Sequence, residues 1–301
     1  MFKIISAIII VTFVWGYLWV PTKIGLGYIS PFFFTALRLF TGALPLFLIQ
    51  ILRQKDWIPA KRDWKKLITM SLFMCLGYYG LSTFGMQYVN SGLASVLVYT
   101  MPIIVSALAH FFLQERLTVN KIIGLFIGLA GLLVIIGPQW SDMEGSHTLF
   151  GELTIILAAF FWACANIYSK KTFSGYDTLK MTFWQMLIGG LMLLVISAVK
   201  EPIMQTNWSA PLIWSLLYAG LMGSAVAFVL WFWILQHIDA SIASIALMAV
   251  PILGLFFGWL QLHEPLTANI IYGAVFVCLG IFFASVKLRI RKPKNEIKKS
   301  A

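Results

Sequence analysis

A chain of 301 residues in which 60% of side chains are apolar and 11% charged, with a mean hydropathy of +0.88, excludes an ordinary soluble core. The net charge of +11 invites a nucleic-acid partner, yet the cations stand between apolar runs and at the C-terminus rather than in an aromatic-interleaved basic patch. Cys75, Cys164 and Cys278 each lie inside an apolar run, where neither a disulfide framework nor zinc-type pairing is visible, so they read as reduced packing residues.

The first apolar run starts beside Lys3 and imitates a secretory signal, but Val20-Pro21-Thr22-Lys23 offers no small-residue cleavage site and more runs follow. It reads as a first transmembrane helix. Further runs of membrane-spanning length fall at 31–52, 67–86, 91–113, 120–137, 151–169, 180–199, 211–234, 240–262 and 267–286, which with 3–20 makes ten. These runs are apolar all round, without the short alternating pattern of a β-barrel, so the expected fold is all-α and integral to the membrane.

Lys and Arg near span ends are retained on the cytoplasmic side. With both termini inside, the cytoplasmic segments collect Lys3, the group from Arg53 to Lys66, Arg116 and Lys121, Lys170, Lys171 and Lys180, and the tail from Lys287 to Lys299. The outer loops keep only Lys23 and Lys200. This predicts a multi-pass plasma-membrane protein with cytoplasmic termini.

The phrase "QERLTVNKIIG" at 114–124 returns as "HEPLTANIIYG" at 263–273, with Arg116 and Lys121 replaced by Pro265 and Ile270. A half with five spans is odd in number, so its duplicate enters the membrane in the opposite sense, and the copy that faces out loses its cations. The same register pairs Gln87 with Gln236, Ala94-Ser95 with Ala243-Ser244, Pro102 with Pro251, Glu115 with Glu264 and Gly131 with Gly280. In the earlier spans Trp15 pairs with Trp162, Lys23 with Lys170, Thr35 with Thr182 and Gly42 with Gly189. The expected organisation is a five-helix repeat over 1–138, an outer linker over 139–150, an inverted five-helix repeat over 151–286 and a basic cytoplasmic tail over 287–301.

With "WGYLWVPTKIG" in the first span, "FFFTALRLFTGALPL" in the second, and the paired "GLASVLVYTMPIIVSALAHFFLQERLT" and "SIASIALMAVPILGLFFGWLQLHEPLT", the chain resembles the EamA-domain family of the drug/metabolite transporter superfamily. The resemblance runs to about Val286. It implies ten transmembrane helices as two inverted repeats around a central cavity, and export of small metabolites, amino acids or drugs.

Several residues are candidates for that cavity. Pro102 and Pro251, near the middle of spans four and nine, each remove a helical hydrogen bond, to the carbonyls of Val98 and Leu247, and are the expected hinges. Ser95, Tyr99 and Pro102 share one helical face, as do Ser244, Met248 and Pro251. Trp15, in a stripe with Thr12 and Trp19, and Trp162, in a stripe with Ala159 and Asn166, are expected to approach a pseudo-twofold axis from opposite halves; Tyr78, Tyr79, Trp184 and Phe228 are further lining candidates. Arg38 lies well inside the second span and pairs in the repeat with the neutral Gln185. An intramembrane cation suggests contact with a substrate carboxylate, while a depth of about 10 Å also allows it to snorkel or to brace a helix end.

Glu115 and Glu264, followed by Thr118 and Thr267 as helix N-caps, read as turn braces, and His110 as a packing or pore-mouth group. Every acidic residue falls in a loop, in the tail or at a span end, which leaves no mid-membrane carboxylate for a strict proton relay. Proton coupling remains possible through Glu115, Glu264, His110 or a titrating substrate. No nucleophile, base and orienter converge, and His147 with Asp142 and Glu144 reads as a solvated loop, so neither an enzyme nor a metal or cofactor site is expected. The expected function is secondary export of amino acids or of amphipathic or aromatic metabolites by alternating access. A lipid translocase or scramblase is the alternative.

Overall fold

The computed structural model describes residues 2–53, 57–114, 118–136, 146–238, 240, 243, 247 and 249–285. Among them there is no strand. Seven helical stretches are long and apolar enough to cross a membrane: Phe2–Leu26, Pro31–Leu52, Lys61–Gly85, Ser91–Leu113, His147–Thr172, Thr178–Lys200 and Ala210–His237. Three shorter apolar helices, Ile122–Ile135, Ala249–Leu262 and Ala268–Gly280, coincide with the remaining runs of the sequence. Large apolar side chains such as Phe111, Phe126, Leu133 and Val195 point outward, while Arg38, Asn166 and Gln185 are buried inside. That inversion of the soluble pattern suits a hydrocarbon solvent.

In chain order the helices are α1 (Phe2–Leu26), α2 (Pro31–Leu52), α3 (Trp64–Ser71), α4 (Leu81–Gly85), α5 (Ser91–Val98), α6 (Met101–Leu113), α7 (Val119–Ile136), α8 (Ser146–Thr172), α9 (Thr178–Lys200), α10 (Ala210–Leu217), α11 (Ala227–His237), α12 (Ala249–Leu262) and α13 (Ala268–Ser285). Two nine-residue π-helical segments, Leu72–Gly80 and Tyr218–Val226, join α3 to α4 and α10 to α11. A π-helix widens the backbone, is rare and, where it occurs, is frequently at a functional site.

Helix ends are tied down by residues from distant segments. Pro31 opens α2 with a preset φ, and the Glu201 carboxylate accepts from Phe32 N and Phe33 N, both at 2.9 Å. Asp177 caps α9 by accepting from Leu179 N and Lys180 N, and Arg53 approaches its carboxylate at 3.7 Å. The Lys23 ammonium donates to Met86 O and Val89 O at 2.5 and 2.6 Å beyond α4, and Lys170 donates to Ile238 O at 2.8 Å beyond α11. Lys23 and Lys170 are repeat partners, and so are Val89 and Ile238. Gln114 and His263, the first letters of the recurring phrase, both turn into the left-handed region, at φ 57° and 53°.

Packing follows the same duplication: α2 lies against α9, α7 against α13, α1 against α12 and α6 against α8. At the α7–α13 crossing a Cβ on Gly131 would sit 2.8 Å from Gly273 O, and one on Gly280 would sit 2.6 Å from Gly124 O. Backbones this close admit no side chain, which is how small residues let membrane helices associate.

The fourth span differs from the expected kinked helix. It stops at Val98, passes through a tight turn at Tyr99–Thr100, and restarts at Met101 with Pro102 in the first turn of α6. Tyr99 N bonds Val96 O at 3.0 Å and Ile103 N bonds Thr100 O at 3.1 Å, so the span is two half-helices rather than one bent rod. Pro102 is tolerated there because a first-turn residue has no intrahelical bond to lose. Pro251 likewise stands third in α12, after a turn bond from Val250 N to Leu247 O.

Candidate substrate cavity

Two small hollows meet at the centre of the bundle. One is lined by Trp15, Trp19, Tyr78, Tyr99, Trp162 and neighbours; the other, sharing Leu18, Trp19 and Tyr78, is lined by Arg38, Tyr79, Ser82 and Thr83. Each has a volume near 20 Å³, about the room of one water. The centre is therefore closed, with aromatic walls and one cation.

The tryptophans converge, though not directly on each other. Trp231 stands between them, 5.6 Å from Trp15 and 5.3 Å from Trp162, and Phe228 lies 5.0 Å from Trp15. Trp15 Nε1 donates to Gly223 O at 3.1 Å, using a carbonyl of the second π-helical segment. Tyr78 stands 6.4 Å from Trp162, and the buried Tyr99 hydroxyl has no hydrogen-bond partner.

Arg38 does not snorkel. It is only 4% exposed, its Nε donates to Ser224 Oγ at 2.8 Å, and its guanidinium carbon lies 4.5 Å from the centre of the Tyr79 ring. Ser224 Oγ in turn donates to Ala219 O at 2.8 Å within the second π-helical segment. The Arg38 Nη2 group has no partner. A guanidinium held by Ser224 and Tyr79 keeps its Nη2 donors for an anion, and α2 packs closely on Tyr218–Val226 beside it. There a Cβ on Gly42 would meet Gly220 O at 2.7 Å.

The remaining candidates separate from this centre. Asn166 is fully buried, with Nδ2 donating to Trp162 O at 2.7 Å and Oδ1 accepting from Trp231 Nε1 at 2.6 Å; it fixes the tryptophan bridge and lines neither hollow. Ser95 donates to Gly92 O at 2.6 Å and Pro251 O at 3.3 Å, at the contact of α5 with α12. Trp184 belongs to another aromatic cluster, stacked 5.8 Å from Trp57 and edge-on 4.8 Å from Trp64, with Nε1 donating to Trp57 O at 2.7 Å. Gln185 is completely buried, and neither end of its amide has a partner. Ser244 and Met248, and also Glu115, lie outside the described residues.

Glu264 braces more than its own turn. Its carboxylate accepts from Ser91 N at 2.7 Å and from Ser91 Oγ and Gly92 N at 2.9 Å, holding the N-terminus of α5 from the opposite half. Glu152, expected at a span end, lies deeper in its helix than the apolar run suggested. Because α8 begins at Ser146, Glu152 is the seventh residue of the helix, 0% exposed, and its Oε2 has no partner. No sequence signal distinguished it, since hydropathy alone started that span at residue 151.

Apolar helices around a small, aromatic and cationic centre describe a multi-pass membrane protein. The chain belongs to the EamA-like transporter family, whose profile matches residues 2–137 and again 149–286. It is 48% identical over 292 residues to a protein of Bacillus subtilis (strain 168) named "Uncharacterized transporter YoaV", covering 97% of this chain and 100% of that one. It is 27% identical over 294 residues to a protein of Salmonella typhimurium (strain LT2) named "Probable amino-acid metabolite efflux pump", covering 94% and 95% of the two chains. A solved crystal structure shares the fold with a TM-score of 0.71 at 17% identity, over 94% of this chain and 96% of that one. The protein is thus a membrane transporter, as its motifs imply.

Proposed function

We propose that this transporter exports small amphipathic or aromatic metabolites, amino acids among them, across the plasma membrane by alternating access, with both termini in the cytoplasm. The observation that carries the reading is Arg38, buried over the Tyr79 ring with an unengaged donor, in a hollow that shares Trp19 and Tyr78 with the one lined by Trp15 and Trp162. A cation next to aromatic faces suits a carboxylate attached to an apolar body. The name of the Salmonella relative, an amino-acid metabolite efflux pump, agrees with that chemistry. On this reading the ten spans form two inverted halves, 1–138 and 151–286, joined by 139–150 and followed by the tail 287–301. Support comes from the paired lysine ties and from the reciprocal glycine contacts of α7 and α13.

The closed centre belongs to a state between openings, in which the half-helix break at Tyr99–Thr100, with Pro102 and Pro251 behind it, supplies the hinge. Loss of solutes from proteoliposomes loaded with a mixed amino-acid and metabolite pool, read by mass spectrometry, tests the function. Selective loss over protein-free vesicles is expected. Exchange of labelled phospholipid between leaflets without solute loss would instead make the protein a lipid translocase, a reading the relatives do not support.

Proton coupling, where present, runs through Glu152, a buried carboxyl with an open oxygen. An imposed pH gradient then alters efflux by the wild type and leaves Glu152→Gln indifferent. Equal responses from both would remove Glu152 from the coupling.

A further inference from the structure

Away from the centre lies a hollow of about 670 Å³, far larger than either central one. Lys66 of α3, Phe73 of the first π-helical segment, Phe112 of α6, and Cys164, Tyr168 and Lys171 of α8 line it. Lys66 stands in the first turn of α3 and Lys171 in the last turn of α8, so both ammonium groups mark one rim. Phe73 lies seven residues beyond Lys66 and Cys164 seven before Lys171, which puts the apolar floor about 10 Å below that rim. Tyr168 meets Phe73 edge-on at 5.9 Å and forms the back wall. On the open flank Phe111 and Phe112 are exposed, facing where hydrocarbon would be.

We propose that this groove binds an acidic phospholipid of the cytoplasmic leaflet, with its phosphate at Lys66 and Lys171 and the upper part of an acyl chain against Phe73, Phe112 and Tyr168. Charge and depth select this occupant. The cations lie where a span meets the polar interface, the floor lies at acyl-chain depth, and the side opening is apolar, an arrangement a water-soluble anion would have to cross lipid to reach. Lys66 also contacts Asp63 at 3.3 Å, which fixes its ammonium at the rim, while Lys171 is exposed there. The leaflet follows from the lysine asymmetry of the loops. A lipid seated here touches the third, fourth and sixth spans together, on the far side of the same helices that carry Tyr78, Tyr99 and Trp162. The inference does not depend on which solute is carried.

Native mass spectrometry of the full chain with phosphatidylglycerol and phosphatidylcholine is the direct test, with Lys61→Gln as a control outside the groove. Preferential retention of phosphatidylglycerol is expected, weakened about fivefold by each of Lys66→Gln and Lys171→Gln and unchanged by Lys61→Gln. A second readout uses the native thiol. Alkylation of Cys164, followed by peptide mapping, should be slower in phosphatidylglycerol vesicles than in phosphatidylcholine ones, and the Lys66→Gln/Lys171→Gln double variant should abolish the difference. No lipid preference, or an equal loss in Lys61→Gln, would overturn the site. Protection of Cys164 by decanoate in phosphatidylcholine vesicles, matching that by phosphatidylglycerol, would replace the lipid with a free amphipathic anion and overturn the assignment of the occupant.

Discussion

Arg38 and Gln185 occupy the same place in the two halves, 147 positions apart on the second span of each, and both are buried. Arg38 reaches Ser224 and the Tyr79 ring and borders the central hollow, whereas the Gln185 amide has no partner at either end and borders no central hollow. Only the Gln185 backbone is engaged, its carbonyl accepting from Ser71 Oγ at 3.0 Å and from Cys75 Sγ at 3.2 Å. The Lys23–Val89 and Lys170–Ile238 ties, by contrast, are alike in the two halves. Among the described residues the lysine ties and the glycine crossing of α7 with α13 are made twice, whereas the Arg38 contact has no counterpart at Gln185.

The duplicated contacts can be broken in pairs. Leu at Gly131 or at Gly280 forces apart backbones that leave no room for a Cβ, so each variant should lose roughly 2–3 kcal/mol of stability, read as a lowered thermal midpoint in detergent. Similar losses are expected from both; a loss confined to one would mean that the reciprocal contact is not equivalent in the two halves. Trp15→Phe keeps a ring in place and removes the bond to Gly223 O, worth about 1 kcal/mol, so efflux should slow about fivefold with the thermal midpoint little changed. An unchanged rate would separate that bond from transport. Gln185→Leu removes a buried amide with unmet hydrogen bonds and should be neutral or stabilising by up to about 1 kcal/mol, without effect on efflux. A large loss of activity would show that the second half carries polar chemistry of its own.

Much of the scaffold was legible because it rests on periodic or local signals. Apolar run length located the helices, and pairing the earlier spans at an offset of 147 set Lys23 opposite Lys170, which donate to Val89 O and Ile238 O respectively. Trp15, Trp162 and Tyr99, which border one central hollow, were assigned to the centre from helical face and depth, whereas the depth of Arg38 left snorkelling open. Trp231, Ser224 and Gly223 were not so assigned. Ser224 and Gly223 belong to the second π-helical segment, which leaves no composition signal beyond glycine and small residues, and Trp231 lies just beyond it in α11. The burial of Glu152 and the reach of Glu264 to Ser91 were hidden because both depend on which distant helix packs alongside. Trp184 shares the residue type of the central tryptophans but lies in the Trp57–Trp64 cluster, a distinction only tertiary packing makes.

The most direct measurement compares efflux of a carboxylated aromatic solute with that of its decarboxylated analogue, for the wild type and for Arg38→Gln, in proteoliposomes of equal protein content. If Arg38 is the anion contact of a single asymmetric site, the wild type prefers the carboxylate and the variant loses that preference by roughly 30-fold, the worth of one buried charge-assisted hydrogen bond of about 2 kcal/mol. If both proteins move the two analogues in the same ratio, Arg38 is a structural cation and the site assignment is wrong.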